Sequence, residues 1–217
     1  MSILLLAMAA QFSLPVALGV PVPDVRAVFS ADDMPAYVEE AGTTRFVFSR
    51  ITVTSDGKAQ DCGAEKSSGD AKLDLLTCVI ILRRAKFQPA KWVDGSPAYA
   101  VLRVPVTWAI DVEPTKAEKE QAYPPDVSLT VNHLPGGVGQ LARVNLMIAV
   151  DETGRILDCA QAIPYPSRGR ERPFPQLVPI ACQQLMSQLR MMPPAKDASG
   201  TGVRSMQTAS VSFRTGR

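Results

Sequence analysis

Twice in this chain apolar residues recur at every second position in the same phase. Val47, Ser49, Ile51 and Val53 alternate with Phe48, Arg50 and Thr52, and Val144, Leu146, Ile148 and Val150 alternate with Asn145, Met147 and Ala149. A period of two marks a strand with one buried face, so each stretch predicts a β-strand. Each is followed by a polar turn that ends on glycine, Gly57 or Gly154, where a tight hairpin needs positive φ. A second strand then runs into a cysteine. Gly57, Asp61 and Cys62 match Gly154, Asp158 and Cys159, each pair displaced by 97 positions.

The period then lengthens. Leu73, Leu76 and Ile80 recur at three and four, Ser67 or Asp70 can cap the segment, and Arg83, Arg84 and Lys86 fall in its last turn, which predicts a helix stopped by Pro89. Leu73 and Cys78 match Leu177 and Cys182 at a displacement of 104, and Pro89 and Ala90 match Pro194 and Ala195 at 105. The repeat therefore survives one insertion of seven residues and one of a single residue. A final strand follows each helix. In the first copy Leu102, Val104, Val106, Trp108 and Ile110 alternate; in the second, Val203, Ala209, Val211 and Phe213 alternate more weakly.

A ββαβ unit thus occurs twice. The fold class expected is α+β, with two tandem ββαβ modules at residues 30–111 and 128–217, each a three-stranded antiparallel sheet with a helix on one face. Residues 112–127 mix charge with proline and predict a linker. Residues 32–39, with Pro35 in the first turn, predict a short leading helix. The second copy lacks an equivalent, because residues 132–137 are rich in helix breakers.

Ahead of the repeat, residues 3–22 carry no charge, which predicts an export signal with cleavage after Gly19, removing residues 1–19. The alternatives are a buried N-terminal strand or a retained anchor, since about 20 apolar residues can span a bilayer; Pro15, Pro21 and Pro23 weigh against the anchor. Export also bears on the four cysteines, because disulfides persist outside the cytoplasm. A helix packed on its sheet brings Cys62 to Cys78 and Cys159 to Cys182. The alternatives are a metal site of four thiolates or a redox pair, although the sequence contains no C-x-x-C.

Composition narrows the function classes. Among 217 residues, 23 Lys and Arg stand against 21 Asp and Glu, a balance with little pull on phosphates, so no nucleic-acid partner is expected. A single histidine, His133, leaves too few imidazoles for a zinc cage of two cysteines and two histidines. It lies beside Pro135, Gly136 and Gly137 with no nucleophile pattern near it, so neither catalysis nor a cofactor is expected. Arg168, Arg170 and Arg172 are read as a solvated loop, the glycines of residues 136–139 as a lead into the next strand, and Trp92 and Trp108 as packing residues.

The first copy resembles a known family. Met34 and Pro35, the turn Ser55, Asp56 and Gly57, then Ser67, Ser68 and Gly69, Leu73 and Asp74, residues 84–90, Gly95, Ser96 and Pro97, and residues 104–108 follow one another as in the C-terminal domain of TonB-type energy transducers. The resemblance covers residues 33–110 and continues in degenerate form over residues 141–213. It implies a small antiparallel sheet with helices on one face, in the periplasm of a Gram-negative bacterium. It also implies binding of a short extended segment of an outer-membrane receptor by strand addition along the last strand, linked to TonB-dependent transport. Pro105 suits an edge position for that strand, and the expected pairing residues are Ala100, Val101, Leu102, Arg103 and Val104. The family's membrane helix with its histidine and its proline-rich spacer have no counterpart, since no histidine occurs in the first 132 residues. The rival reading is a structural or homodimerising envelope protein without energy transduction. In either case the membrane is touched only through an uncleaved leader.

Overall fold

The computed structural model describes residues 28–109, 115–135, 139–162 and 174–216. The expected leader, the Arg168, Arg170 and Arg172 cluster and residues 136–138 lie outside the described residues. A 3-10 turn at Ala31–Asp33 precedes α1 (Ala36–Ala41), and the hairpin β1 (Arg45–Val53) and β2 (Ala59–Lys66) leads into α2 (Ala71–Arg84). Short β3 (Ala90–Lys91) and long β4 (Pro97–Trp108) complete the first half. The second half holds α3 (Lys116–Ala122), β5 (Val127–Val131), the hairpin β6 (Leu141–Val150) and β7 (Ile156–Gln161), and α4 (Val178–Gln188). It ends with β8 (Ala195–Lys196), β9 (Gly202–Val203) and β10 (Ser205–Thr215).

The chain is mixed α+β, as expected, but the sheets are not separate. One eight-stranded mixed sheet runs in the order β2-β1-β4-β10-β6-β7, with β3 beside β4 and β5 beside β10; β8 and β9 form a small pair of their own. The joint is a parallel pairing in which Tyr99, Ala100 and Val101 face Ser205, Met206 and Gln207. Its cause lies in β4, where Ala100, Val101 and Leu102 are all almost fully buried. Three consecutive buried apolar residues need cover on both faces of the sheet, which one helix cannot provide.

The two helices pack on opposite faces of the sheet. Leu73, Ile80 and Ile81 of α2 share a core with Val47, Ile51, Leu102 and Met206, whereas Leu177, Ala181 and Leu185 share one with Leu146, Ile148, Val211 and Phe213. Met206 and Val211 differ by an odd number of positions on β10 and therefore point to opposite faces. A parallel pairing of the two final strands with the helices on opposite faces is the geometry of a two-fold axis lying along the strands.

Local hydrogen bonds repeat with the sequence. Phe87 N–H donates to the Gly57 carbonyl at 3.2 Å and Met192 N–H to the Gly154 carbonyl at 2.8 Å. A Cβ at either glycine would lie 2.3 Å from the carbonyl oxygen of Phe87 or Met192, and both glycines have positive φ. The matching glycines are therefore fixed by the seating of each hairpin turn against the end of its helix. Trp92 N–H bonds the Ser96 carbonyl at 2.8 Å, and Asp197 N–H bonds that of Thr201 at 2.9 Å.

Three local expectations change. The leading helix of residues 32–39 is a 3-10 turn and a short helix divided at Met34 and Pro35, because Pro35 disfavours helical backbone at the residue before it. The expected linker of residues 112–127 contains α3. Thr115 and Glu118 form its capping box: Thr115 N–H donates to Glu118 Oε2 at 2.8 Å and Glu118 N–H to Thr115 Oγ1 at 3.3 Å. In place of a leading helix, the second hairpin is preceded by the strand β5 (Val127–Val131).

Candidate functional site

The last strand of the first half, β4, pairs along nearly its whole length with β1, from Ala100 opposite Val53 to Trp108 opposite Arg45. Its other side is divided. Pairing with β10 stops at Val101, and Arg103 N–H then donates to Thr208 Oγ1 at 3.0 Å instead of to a backbone carbonyl. Beyond Arg103, among the described residues, no strand pairs with β4 on this side. Backbone groups of alternate residues point to alternate neighbours in an antiparallel ladder, so Arg103, Pro105 and Thr107 direct theirs away from β1. Pro105 therefore lacks its donor on the side where no ladder bond exists, which is why β4 tolerates it.

Asp126 and Arg103 hold the point where β4 and β10 part. Asp126 N–H donates to the Ser210 carbonyl at 2.9 Å, and Ser210 N–H donates to Asp126 Oδ2 at 2.8 Å. The Arg103 guanidinium donates to Asp126 and to Glu65 and lies 5.9 Å from the centroid of the Phe48 ring. Glu65 reaches it because the β1–β2 register shifts between Phe48 and Ser49, which face Lys66 and Ala64 and leave Glu65 as the extra residue of a bulge. Burial lowers the Arg103 pKa, but the charges and hydrogen bonds of Asp126 and Glu65 outweigh it and raise the value. The neighbouring Arg50 has its pKa lowered, first by burial, with Arg103 acting in the same direction. Arg50 Nη2 donates to the Pro193 carbonyl at 3.1 Å, a bond between the halves.

The open part of β4, residues 104–108, has apolar surroundings on both faces. On one, Trp108 Nε1 donates to Thr77 Oγ1 at 3.0 Å, and the Trp108 ring meets Phe29 edge-on at 5.4 Å. On the other, Tyr123 packs 5.9 Å from Phe46 and 5.3 Å from Phe48, and its hydroxyl lies 3.2 Å from Thr107 Oγ1.

The residues expected to pair with a partner strand are engaged within the chain. Ala100 and Val101 form the joint with β10, Leu102 and Val104 are buried in the α2 core, and Arg103 is the ion-paired vertex. The open edge begins where that stretch ends. The physical cause is the second copy itself, whose final strand covers the first half of the edge.

The cysteines pair as expected, Cys62 with Cys78 and Cys159 with Cys182, with Cα atoms 5.4 and 5.6 Å apart. Each disulfide ties an outermost strand, β2 or β7, to the helix packed on it. His133 is exposed. Among the described residues no group of three or more His, Cys, Asp or Glu is placed to hold a metal ion, and no helix is long and apolar enough to cross a membrane. Trp92 is buried, as expected of a packing residue, and also receives the Arg204 guanidinium at 5.4 Å. No local pattern in the sequence marks Glu65, Asp126, Thr208 or Tyr123 as neighbours of this edge. The Thr115 to Glu118 spacing is the one signal that could have found the helix above it.

Compared with protein families, with characterised proteins and with solved structures, the chain finds no match in any of the three.

Proposed function

We propose that this chain is an exported binding protein of the Gram-negative periplasm, built from two TonB C-terminal-like ββαβ copies joined through their final strands. It acts by accepting an extended segment of an envelope partner at the open β4 edge, residues 104–108. The observation that carries the reading is that, among the described residues, no strand pairs with the outward side of β4 beyond Arg103, beside Pro105. Strand addition draws its affinity from free backbone donors and acceptors and its specificity from alternate side chains. Thr107 offers an outward N–H, and the Trp108 and Tyr123 faces offer apolar cover to alternate residues of the incoming segment. No catalytic group is needed, and the nearly balanced charge suits a partner recognised through its backbone. With a receptor segment as partner, the protein belongs to TonB-dependent transport. With a second copy as partner, it is a structural dimer.

The test is a photo-cross-linker at the exposed Thr107 in intact cells, paired with the variant Thr107→Pro. Cross-links to a receptor segment, and loss of capture in Thr107→Pro with an unchanged melting temperature, are expected. Capture that survives Thr107→Pro overturns the reading, and cross-links only to a second copy assign the dimer.

A further inference from the structure

The two final strands differ in one respect that the repeat does not predict. Val106, Thr107, Trp108 and Ala109 correspond to Val211, Ser212, Phe213 and Arg214, 105 positions apart. Val106 and Trp108 are buried in the first core and Val211 and Phe213 in the second. On β4, among the described residues, no strand pairs with this stretch on its outward side. On β10 it has one: β5 runs parallel to it, with Val127 opposite Val211 and Val131 opposite Thr215.

The occupant comes from the segment that leads into the second hairpin. At the displacement of 97, residues 127–131 correspond to residues 30–34, which in the first half form the 3-10 turn before α1. There the leading segment folds as helical turns and leaves the last strand open. In the second half Asn132, Pro135 and Gly136 prevent a helix, and the sequence Val127, Ser128, Leu129, Thr130, Val131 has the alternation of a strand. Val127 is buried in the second core, with Leu129 and Val131 packed against it. On the polar side, Ser212 Oγ and Ser128 Oγ lie 3.1 Å apart. Asp126 clasps the N-terminal end through Ser210, and Gly216 N–H bonds the Val131 carbonyl at 3.2 Å.

We infer that β5 is a resident ligand strand, filling in the second half the acceptor edge that stays open in the first. The chain thus presents one acceptor edge where its repeat supplies two, and β5 displays the segment that such an edge takes: extended, parallel to the last strand, about five residues long and apolar at the first, third and fifth. This inference rests on the proposed function for the β4 edge but not for β5 itself. A site vacated on β10 accepts a peptide whether or not β4 does.

The experiment titrates a synthetic peptide of residues 125–132 into the full mature chain and three variants, following bound stoichiometry by calorimetry. The variants are Thr107→Pro, the pair Val127→Asp with Leu129→Asp, and all three together. One peptide is expected on the unaltered chain, none on Thr107→Pro, two on the Val127/Leu129 variant and one on the triple variant. If the Val127/Leu129 variant does not fold alone, the peptide restores its native circular dichroism. The inference is overturned if that variant gains no site and is not restored by the peptide. Absence of binding to the unaltered chain alone overturns the β4 reading, while the gained site on β10 still supports the resident strand.

Discussion

Arg103 stands directly opposite Arg50 on the β1–β4 ladder, and like charges so placed repel. Asp126, with a side chain only 7% exposed, and Glu65 offset that repulsion. Removing one partner of a buried pair leaves the other charge without compensation and costs about 3–5 kcal/mol. Arg103→Ala is therefore expected to lower the unfolding free energy by roughly 3 kcal/mol in urea titrations, with Arg103→Lys intermediate, because an ammonium cannot fork between two carboxylates. A loss below about 0.5 kcal/mol, the usual range of an exposed pair, would contradict the role assigned to the vertex. The place of Arg103 on the last strand of the first half was legible in the sequence. Its partners were not, because Glu65 arrives through a bulge and Asp126 from just ahead of β5, 23 positions along the chain.

Elements hold together through their ends. The leading segment is fixed to the C-terminal end of α2 by the two hydrogen bonds of Arg84 to the Asp33 carboxylate, at 2.6 and 2.9 Å. Arg84, followed by the Ser30 backbone N–H, holds the Asp33 pKa at about 2 against an ordinary 3.8. A depressed carboxylate pKa adds stability that is present above the ordinary value and lost as pH falls through the folded one. Asp33→Asn is thus expected to melt below the unaltered chain at neutral pH, with the difference closing between about pH 4 and pH 2. Thermal unfolding across that range checks it, and a difference that persists at pH 2 counts against the pair. At this scale the sequence did well where the signal was local: Asp70 caps α2 by accepting from Lys72 and Leu73 N–H, and the hairpins and helices lie where their periodicity puts them. The helix α3 was missed because charge and proline around it resemble a linker, while its capping box is a pair of residues three apart.

The whole molecule is bound by residues that one half lends to the other. Met147, Ala149 and Met206 belong to the second half yet are buried with Leu73 and Leu102 in the first core. Gln207, the next residue on β10, is almost fully buried on the other face, its Nε2 donating to the Pro193 carbonyl at 3.0 Å and to Ser205 Oγ at 3.0 Å. Such sharing predicts one cooperative transition. Met206→Ala, at about 2–5 kcal/mol for a buried truncation, is expected to shift the fluorescence of Trp92 and Trp108 and the accessibility of the Cys159–Cys182 bond to reductant by the same amount. Two separate transitions would show that the halves are independent. What the sequence determined by itself is the inventory and its repetition, since alternation, capping and cysteine spacing are written in residues near one another. Only the tertiary structure decided that the two final strands pair in parallel, that the helices cover opposite faces, and which stretch of edge remains open. Those outcomes depend on contacts between residues about one hundred positions apart, and no periodicity within either copy records how its last strand meets the other.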